Sequence, residues 1–588
     1  MMLRRVVSST LVVVRALSLG ANRAVLQPRP ARRSLGACRA LALDAQLDAL
    51  PSSRRDVGSA VARYAGAAVI RSNALSGEHS EIGALVEFAD GSRGTIILER
   101  SALAIASVGD LNFDASVAGD AVVVLRNDTR LGASSSSVVG RALDSSLAPL
   151  DGPLESGGEA AVVFDDGLKQ NEMQRIDAHL RTGFAGIDLV TPLGKGQSAL
   201  FVGSAATLAA RRLLALCAVD AQPAGVECIY AQLEAVPNTR PAARANVTTI
   251  VARAQPTPFA SHVEAVWTAS VALGLACDRR KDGAHVVVVL DSLDPIIQFW
   301  RESTQQMVHL GFYMDPATDE AEARKFFSSL LQQRIGCNKA GGSVSVIALC
   351  SDTEDTVEAT EDATYTLADF VAINTRESVM SRLRALDGKG IKLTSAILKK
   401  IDVAEPKGGR VASRTRSSMV EMLTSIADAH VDVTDSTAEG VTLNPALSLQ
   451  RVGVGGKETK AGDPRCAAMR TLGVGHQLRL ELAANVANTD GDAGAADNSL
   501  AKRAAAWRAA LRAQPTPQPL SAMVVTACTV QAGLLDGKGA ADAAAFLASA
   551  LAAAQAQAGA VLAAIDESEA LSTHDADALK KLLVAASK

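Results

Sequence analysis

The run His285-Val-Val-Val-Val-Leu-Asp291 constrains the fold more than any other stretch. Five apolar residues in succession leave no polar face for water, and the β-branched valines favour an extended chain. A strand of this kind is buried on both faces, the situation of a parallel sheet covered by helices on either side. Ser198 to Val202, Cys228 to Leu233, Val247 to Val251 and Gly342 to Leu349 have the same character, with helical sequence between them. Alternating strands and helices predict an α/β domain with a mostly parallel sheet across about residues 170–458.

Within that domain, Ser198 to Val202 is followed by a turn at Gly203 and a helix rich in Ala and Leu. This is the strand–loop–helix setting of a phosphate-binding loop. A working loop reads G-x-x-x-x-G-K-[ST]: backbone N–H groups cradle phosphates, the Lys reaches the terminal ones, and the hydroxyl holds magnesium. Here Gly203 and the four residues after it fit the pattern, but Leu208 replaces the second Gly, Ala209 the Lys and Ala210 the metal hydroxyl. Asp291 stands at the end of its strand, where a magnesium-organising carboxylate sits in many nucleotide-binding domains. A turn or helix N-cap is the other role open to an Asp at that point.

The flanking segments have different textures. Residues 1–45 hold eight Arg and, up to Leu43, no Asp or Glu. That composition resembles an organellar transit peptide, mitochondrial or plastid; a secretory signal and a plain basic tail are the alternatives. Residues 60–155 carry short β-like pieces between Gly and Asp turns: Ala67 to Arg71, Ala84 to Phe88, Gly94 to Leu98, Ala121 to Leu125 and Ser137 to Arg141. This spacing predicts a small β-barrel. Residues 459–588 read helical, with Ala504 to Arg512 and Ala543 to Ile565 the clearest helices. The net charge of −4 excludes binding of nucleic acid by bulk charge. Eight cysteines without a C-x-x-C pair favour buried reduced thiols over disulfides or zinc, and no apolar run approaches the length that spans a bilayer.

Six short stretches, in order, resemble the alpha subunit of the F-type ATP synthase. Leu85-Val-Glu-Phe-Ala-Asp-Gly-Ser-Arg-Gly94 is similar to its V-E-F-x-x-G-x-x-G. Val139-Gly-Arg-Ala-Leu-Asp144 with Pro149-Leu-Asp-Gly152 is similar to V-G-R-V-V-D … P-I-D-G. Thr182 to Asp188 resembles T-G-I-K-A-I-D, and Pro192 to Gln197 resembles P-I-G-R-G-Q. Ala446-Leu-Ser-Leu-Gln-Arg-Val-Gly453 resembles G-L-S-V-S-R-V-G, and Leu478 to Ala483 resembles M-K-L-E-L-A. The S-x-x-R-V-G element favours alpha over beta.

The resemblance implies a multidomain chain: a six-stranded β-barrel, a RecA-like P-loop domain and a C-terminal α-helical bundle. It implies a non-catalytic subunit of a hetero-hexameric head, with beta subunits, the central stalk gamma and the peripheral stalk as partners, and membrane contact only through the complex. Such a subunit lies on the matrix side of the mitochondrial inner membrane, or in a plastid. An arginine finger reaching into a neighbouring beta site corresponds to Arg451. The subunit's own nucleotide site maps onto Gly203, Thr207, Ala209, Ala210 and Asp291, so ATP or ADP with magnesium is expected to bind weakly or not at all. The family's strand-end Gln falls near Ala235, and the acidic neighbour of Asp291 is replaced by Ser292. An insertion over about 360–429 departs from the pattern, with helical pieces Val379 to Leu386, Leu393 to Ile401 and Met419 to Ala427 and a basic middle suited to an acidic partner or lipid, or simply to a solvated surface. A non-enzymatic paralogue acting as an assembly or regulatory factor is the second reading.

Overall fold

The computed structural model describes residues 55–587 apart from internal segments, the longest being 109–120, 353–363, 404–416, 452–462 and 483–494. The segment read as a transit peptide, the basic centre of the insertion and the glycines after Arg451 lie outside the described residues.

Six strands open the described chain: β1 (Arg55–Tyr64), β2 (Ala67–Ser72), β3 (Leu85–Phe88), β4 (Arg93–Arg100), β5 (Leu103–Val108) and β6 (Ala121–Arg126). They close an antiparallel barrel in the order β1-β2-β5-β4-β3-β6, which leaves no free edge. Val57, Ile70, Val86, Phe88, Ile96 and Val124 fill its interior. A bulge bends β1 at Gly58, where φ is +152° and a Cβ would meet the Arg71 carbonyl oxygen at 1.9 Å, so only glycine fits. Ser137 to Arg141, expected as a strand, instead contains a 3-10 turn over Ser136–Val138. Ser137 bonds Ser134 through both its N–H and its hydroxyl. Four consecutive serines offer local partners that compete with a strand ladder.

The chain then enters a mixed sheet through β7 (Ala142–Asp144), followed by β8 (Ser198–Gly203), α1 (Leu208–Asp220), β9 (Val226–Gln232), β10 (Val247–Val251), α2 (Pro258–Lys281), β11 (His285–Asp291), α3 (Asp294–His309), α4 (Pro316–Leu331), β12 (Ser343–Ser351), α5 (Glu377–Asp387), α6 (Ser418–Ile426), β13 (Ala429–Thr437) and β14 (Gly440–Leu443). The sheet runs β14-β13-β8-β12-β11-β9-β10-β7. Every neighbouring pair is parallel except β13 with β14. The apolar runs read from the sequence are its inner strands, and β11 and β12 are buried on both faces. Helix α1 lays Ala210, Leu214, Ala215, Ala218 and Val219 on one face of the sheet. Thr257 caps α2 through a bond from Ala260 N–H, and Pro258 begins it.

One buried cation fastens β4 to the helices beyond. The Arg100 guanidinium donates to Ser303, Thr304, Asp319 and Glu322 at 2.6–2.9 Å and lies 4.1 Å from the Trp300 ring centre.

Residues Asp352–Met422 form a compact unit of their own, with Phe370, Met380, Leu383, Leu393 and Leu398 as its core. Leu393 to Ile401 was expected to be helical. Within it Ile397 and Leu398 are helical, while Leu393–Thr394 pairs antiparallel with Thr364–Tyr365 and puts Leu393 in that core.

The C-terminal helices are α7 (Ala467–Leu472), α8 (Ala495–Ala510), α9 (Leu520–Gln531), α10 (Ala540–Ser568) and α11 (Thr573–Ala586). Met469, Trp507, Met523, Val524, Leu562, Ile565 and Leu579 belong to their shared core. Among the described residues two helices are long and apolar enough, by length and composition, to cross a membrane, contrary to the sequence expectation. Pro258–Lys281 is a core helix, 89% buried over its apolar window; the Ala541–Ser568 stretch is only 17% buried.

Seven cysteines are described; all are free and all but Cys337 are buried, as expected of reduced thiols.

Candidate functional site: a closed loop at the sheet's carboxyl edge

Parallel strands of an open α/β sheet present their carboxyl ends as a binding crevice. Here that edge is built from Gly203, Gln232, Asp291 and Ser351, with Gly203 in register with Ser351 and Val433, and Gln232 with Asp291. The structure thus brings Gly203, Thr207 and Asp291 to one edge, with Ala209 and Ala210 opening α1.

The loop does not form an open cradle. Ser204 turns the chain, Ala205–Thr207 make one 3-10 turn, and α1 follows directly. Thr207 N–H and its hydroxyl both donate to the Ser204 carbonyl, at 2.9 and 3.0 Å. Arg211, fully buried, reaches back into this turn: Nη1 donates to Ser204 O and Thr207 Oγ1, and Nη2 to Ser351 Oγ, each at 2.8 Å. Burial lowers the pKa of Arg211, and the carboxylate of Asp294 opposes that shift. A Cβ on Gly203 would stand 2.4 Å from Thr207 Oγ1, 2.6 Å from Val433 O and 2.7 Å from Arg211 Nη1. The glycine therefore makes room for the protein's own arginine.

Asp291 is also engaged. Arg212 Nε donates to both of its carboxylate oxygens at 2.8 Å, and the Tyr230 hydroxyl donates to Oδ2 at 2.6 Å. Burial works against the charge of Arg212, but Asp291 prevails and raises its pKa. Burial and the same carboxylate push the Tyr230 phenol up, so it keeps the proton it donates to Asp291. Ala209 is exposed and Ala210 buried, and neither carries a donor in its side chain. Ser292 is buried, and Ala235 is exposed. These residues do not supply the donor set that Mg-ATP requires: the Lys and metal hydroxyl are absent, and Arg211 Nη1 and Nη2, Arg212 Nε and the Tyr230 hydroxyl are already bonded to the protein's own oxygens, with Arg211 Nε buried and without a partner among the described residues.

Arg451 is not part of this cluster. It follows the short pairing of Gln450 with Ala429, at the amino end of β13, whereas Gly203 pairs with Val433 further along. Its side chain is exposed, with Nη2 donating to Thr424 O at 2.7 Å and Nη1 to Ser425 O. Those carbonyls belong to the last turn of α6, where a guanidinium complements the helix dipole. Asp428 beside it accepts from Ser198 N–H and hydroxyl; burial raises its pKa, against those bonds and the charge of Arg451.

The sequence reading missed Arg211 and Arg212. A signal was present: the apolar stripe of α1 brackets position 211, so an arginine there has to be buried.

No family model matches the chain. It is 33% identical over 97 residues to the ATP synthase subunit alpha of Klebsiella pneumoniae, 34% over 97 residues to that of Sodalis glossinidius, and 33% over 97 residues to that of Escherichia coli. Each match covers 16% of this chain and 18% of the relative, so the chain spans less than a fifth of the length of these proteins. The similarity supports an ATP synthase alpha-like relationship in that part of the chain.

Proposed function

We propose that this protein is a divergent, mitochondrial-type alpha subunit of the F-type ATP synthase head, non-catalytic itself. It completes the sites of neighbouring beta subunits in ATP synthesis coupled to proton transport. The observation that carries the reading is the contrast between its two arginine sites. The loop that would hold a nucleotide is closed by Arg211 and Arg212, while Arg451 is exposed, with its two arms on the Thr424 and Ser425 carbonyls and the Asp428 carboxylate nearby. A planar, permanently charged fork matches phosphate oxygens. An arginine finger contributes about 10³–10⁵ in rate, or roughly 4–7 kcal/mol of barrier. In this reading the barrel, the sheet and the C-terminal helices correspond to the three alpha-subunit domains, with gamma and the peripheral stalk as further partners.

Two experiments test it. The tagged chain should comigrate with intact ATP synthase at a stoichiometry near that of beta. Arg451→Ala in a reconstituted head should slow ATP hydrolysis by at least about 10³-fold; unchanged turnover rules out the finger. The closed loop also suits a second reading, an assembly or regulatory factor that binds the complex without joining the head. Substoichiometric association with assembly intermediates would favour that one. Fusing residues 1–45 to a reporter and following its import checks the compartment.

A further inference from the structure

Away from the loop, three elements distant in sequence bring nitrogen, sulfur and oxygen donors together. His179 lies on a two-residue strand, His179–Leu180, that pairs with Leu193–Gly194. Cys466 is the N-cap residue of α7, and Glu569 ends α10. A ring nitrogen of His179, Cys466 Sγ and a carboxylate oxygen of Glu569 all lie within 4.8 Å of one another.

His179 is 5% exposed, and among the described residues neither ring nitrogen has a hydrogen-bond partner. A buried polar group left unpaired costs about 1–3 kcal/mol, which a native core rarely tolerates without a reason. A second carboxylate, that of Asp188, stands 3.7 Å from Nε2. It is already occupied by Thr182 N–H and hydroxyl and by Gly183 N–H.

The other two donors are positioned by backbone. Glu569 adopts φ +56°, uncommon for a residue with a Cβ. Its carbonyl accepts from Ala468 N–H at 2.9 Å, which ties the end of α10 to the start of α7 and holds Glu569 beside Cys466. Arg181 Nε takes one carboxylate oxygen, Oε1, at 2.8 Å, and a metal needs only the other.

We propose that His179, Cys466 and Glu569 are the protein ligands of a divalent transition-metal site, best suited to zinc. A neutral imidazole, a thiolate and a carboxylate are the ligand types zinc takes, and three protein ligands leave a fourth position for water. The ligand atoms need to contract by only about 1 Å to reach tetrahedral spacing around bonds of about 2.0–2.3 Å. On binding, the thiol S–H bond breaks, its proton leaves to solvent and an S–metal bond forms. The thiolate and the carboxylates of Glu569 and Asp188 then balance the two positive charges of the ion and that of Arg181. Such a site joins the lead-in to β8, the start of α7 and the end of α10, and so fixes the C-terminal helices against the sheet.

The test uses the full chain, reduced and stripped of metal, titrated with Co(II) alone. One equivalent should give a saturable thiolate-to-cobalt charge-transfer band, displaced by Zn(II), and either ion should raise the melting temperature. Cys466→Ser and His179→Gln should abolish the band, and Cys337→Ser should retain it. Absence of a saturable band in the folded wild type, or its persistence in Cys466→Ser, overturns the proposal. Should Cys466→Ser not fold, Glu569→Gln decides: losing a direct charged ligand should lower Co(II) affinity by at least the roughly 10- to 100-fold seen when only a ligand's hydrogen-bond partner is changed, and unchanged affinity overturns it.

Discussion

Rebuilding the phosphate loop tests how this site came to be closed. Replacing Leu208, Ala209 and Ala210 by Gly, Lys and Thr restores the sequence pattern and supplies two missing contacts. Charge-assisted contacts contribute about 1.5–3 kcal/mol each, so the pair offers about 3–6 kcal/mol, or roughly 10²- to 10⁴-fold in affinity. Part of that gain should stay hidden. Magnesium also needs the strand-end carboxylate, and Asp291 is held by Arg212 at 2.8 Å and Tyr230 at 2.6 Å. Arg212 is 35% exposed, so solvent screens the pair, and releasing Asp291 costs about 1–2 kcal/mol. Adding Arg212→Ala to the triple variant should therefore tighten Mg-ATP binding by about tenfold more. Titration calorimetry on the wild type, the triple and the quadruple variant measures this, with circular dichroism confirming that each is folded. Micromolar or tighter Mg-ATP binding by the wild type would refute the account of the loop. A quadruple variant no tighter than the triple would refute the account of Asp291.

Arg100→Met should lower the stability of the folded chain by about 2–4 kcal/mol, seen as a fall in the urea midpoint. This lies below the 3–5 kcal/mol of a fully buried pair, because Asp319 and Glu322 are 30% and 24% exposed and regain water. Asp165 titrates below its ordinary value of 3.8: burial opposes its charge, but Lys281 and the Gly167 N–H outweigh burial. A depressed carboxylate stabilises the fold above its unfolded pKa and loses that contribution as pH falls through its folded value. Asp165→Asn should thus melt below wild type at pH 7 by an amount equivalent to about 0.5–1 kcal/mol. The gap should close as pH falls below 3.8; a gap that stays constant there would refute the pairing.

The sheet was legible because its signal is chemical: runs such as Val286 to Leu290 have no other stable environment. The emptied loop was legible by position, since Ala209 and Ala210 replace residues whose chemistry cannot be substituted. Other elements were concealed by composition. Strand β5, Leu-Ala-Ile-Ala-Ser-Val, is half small residues, and β1 carries charges and a glycine. Helix α9, Leu520–Gln531, is buried on all sides, so it has no helical period to read, and its valines and threonines suggest a strand. The partners of Arg211 and Asp291 were hidden for another reason. They depend on which strand ends adjoin in the sheet, and Tyr230, Asp291 and Ser351 become neighbours only through that order.

The resting state of Arg451 sets a threshold on what can draw it away. Two carbonyls at the end of α6 already satisfy both arms of its fork, and the helix dipole adds to their hold. A neutral surface offering one or two acceptors gives the guanidinium nothing it lacks. An anion with several oxygens, presented at short range and away from water, can outbid the helix. Charge density, more than the number of acceptors, is therefore what a competitor for this guanidinium has to offer.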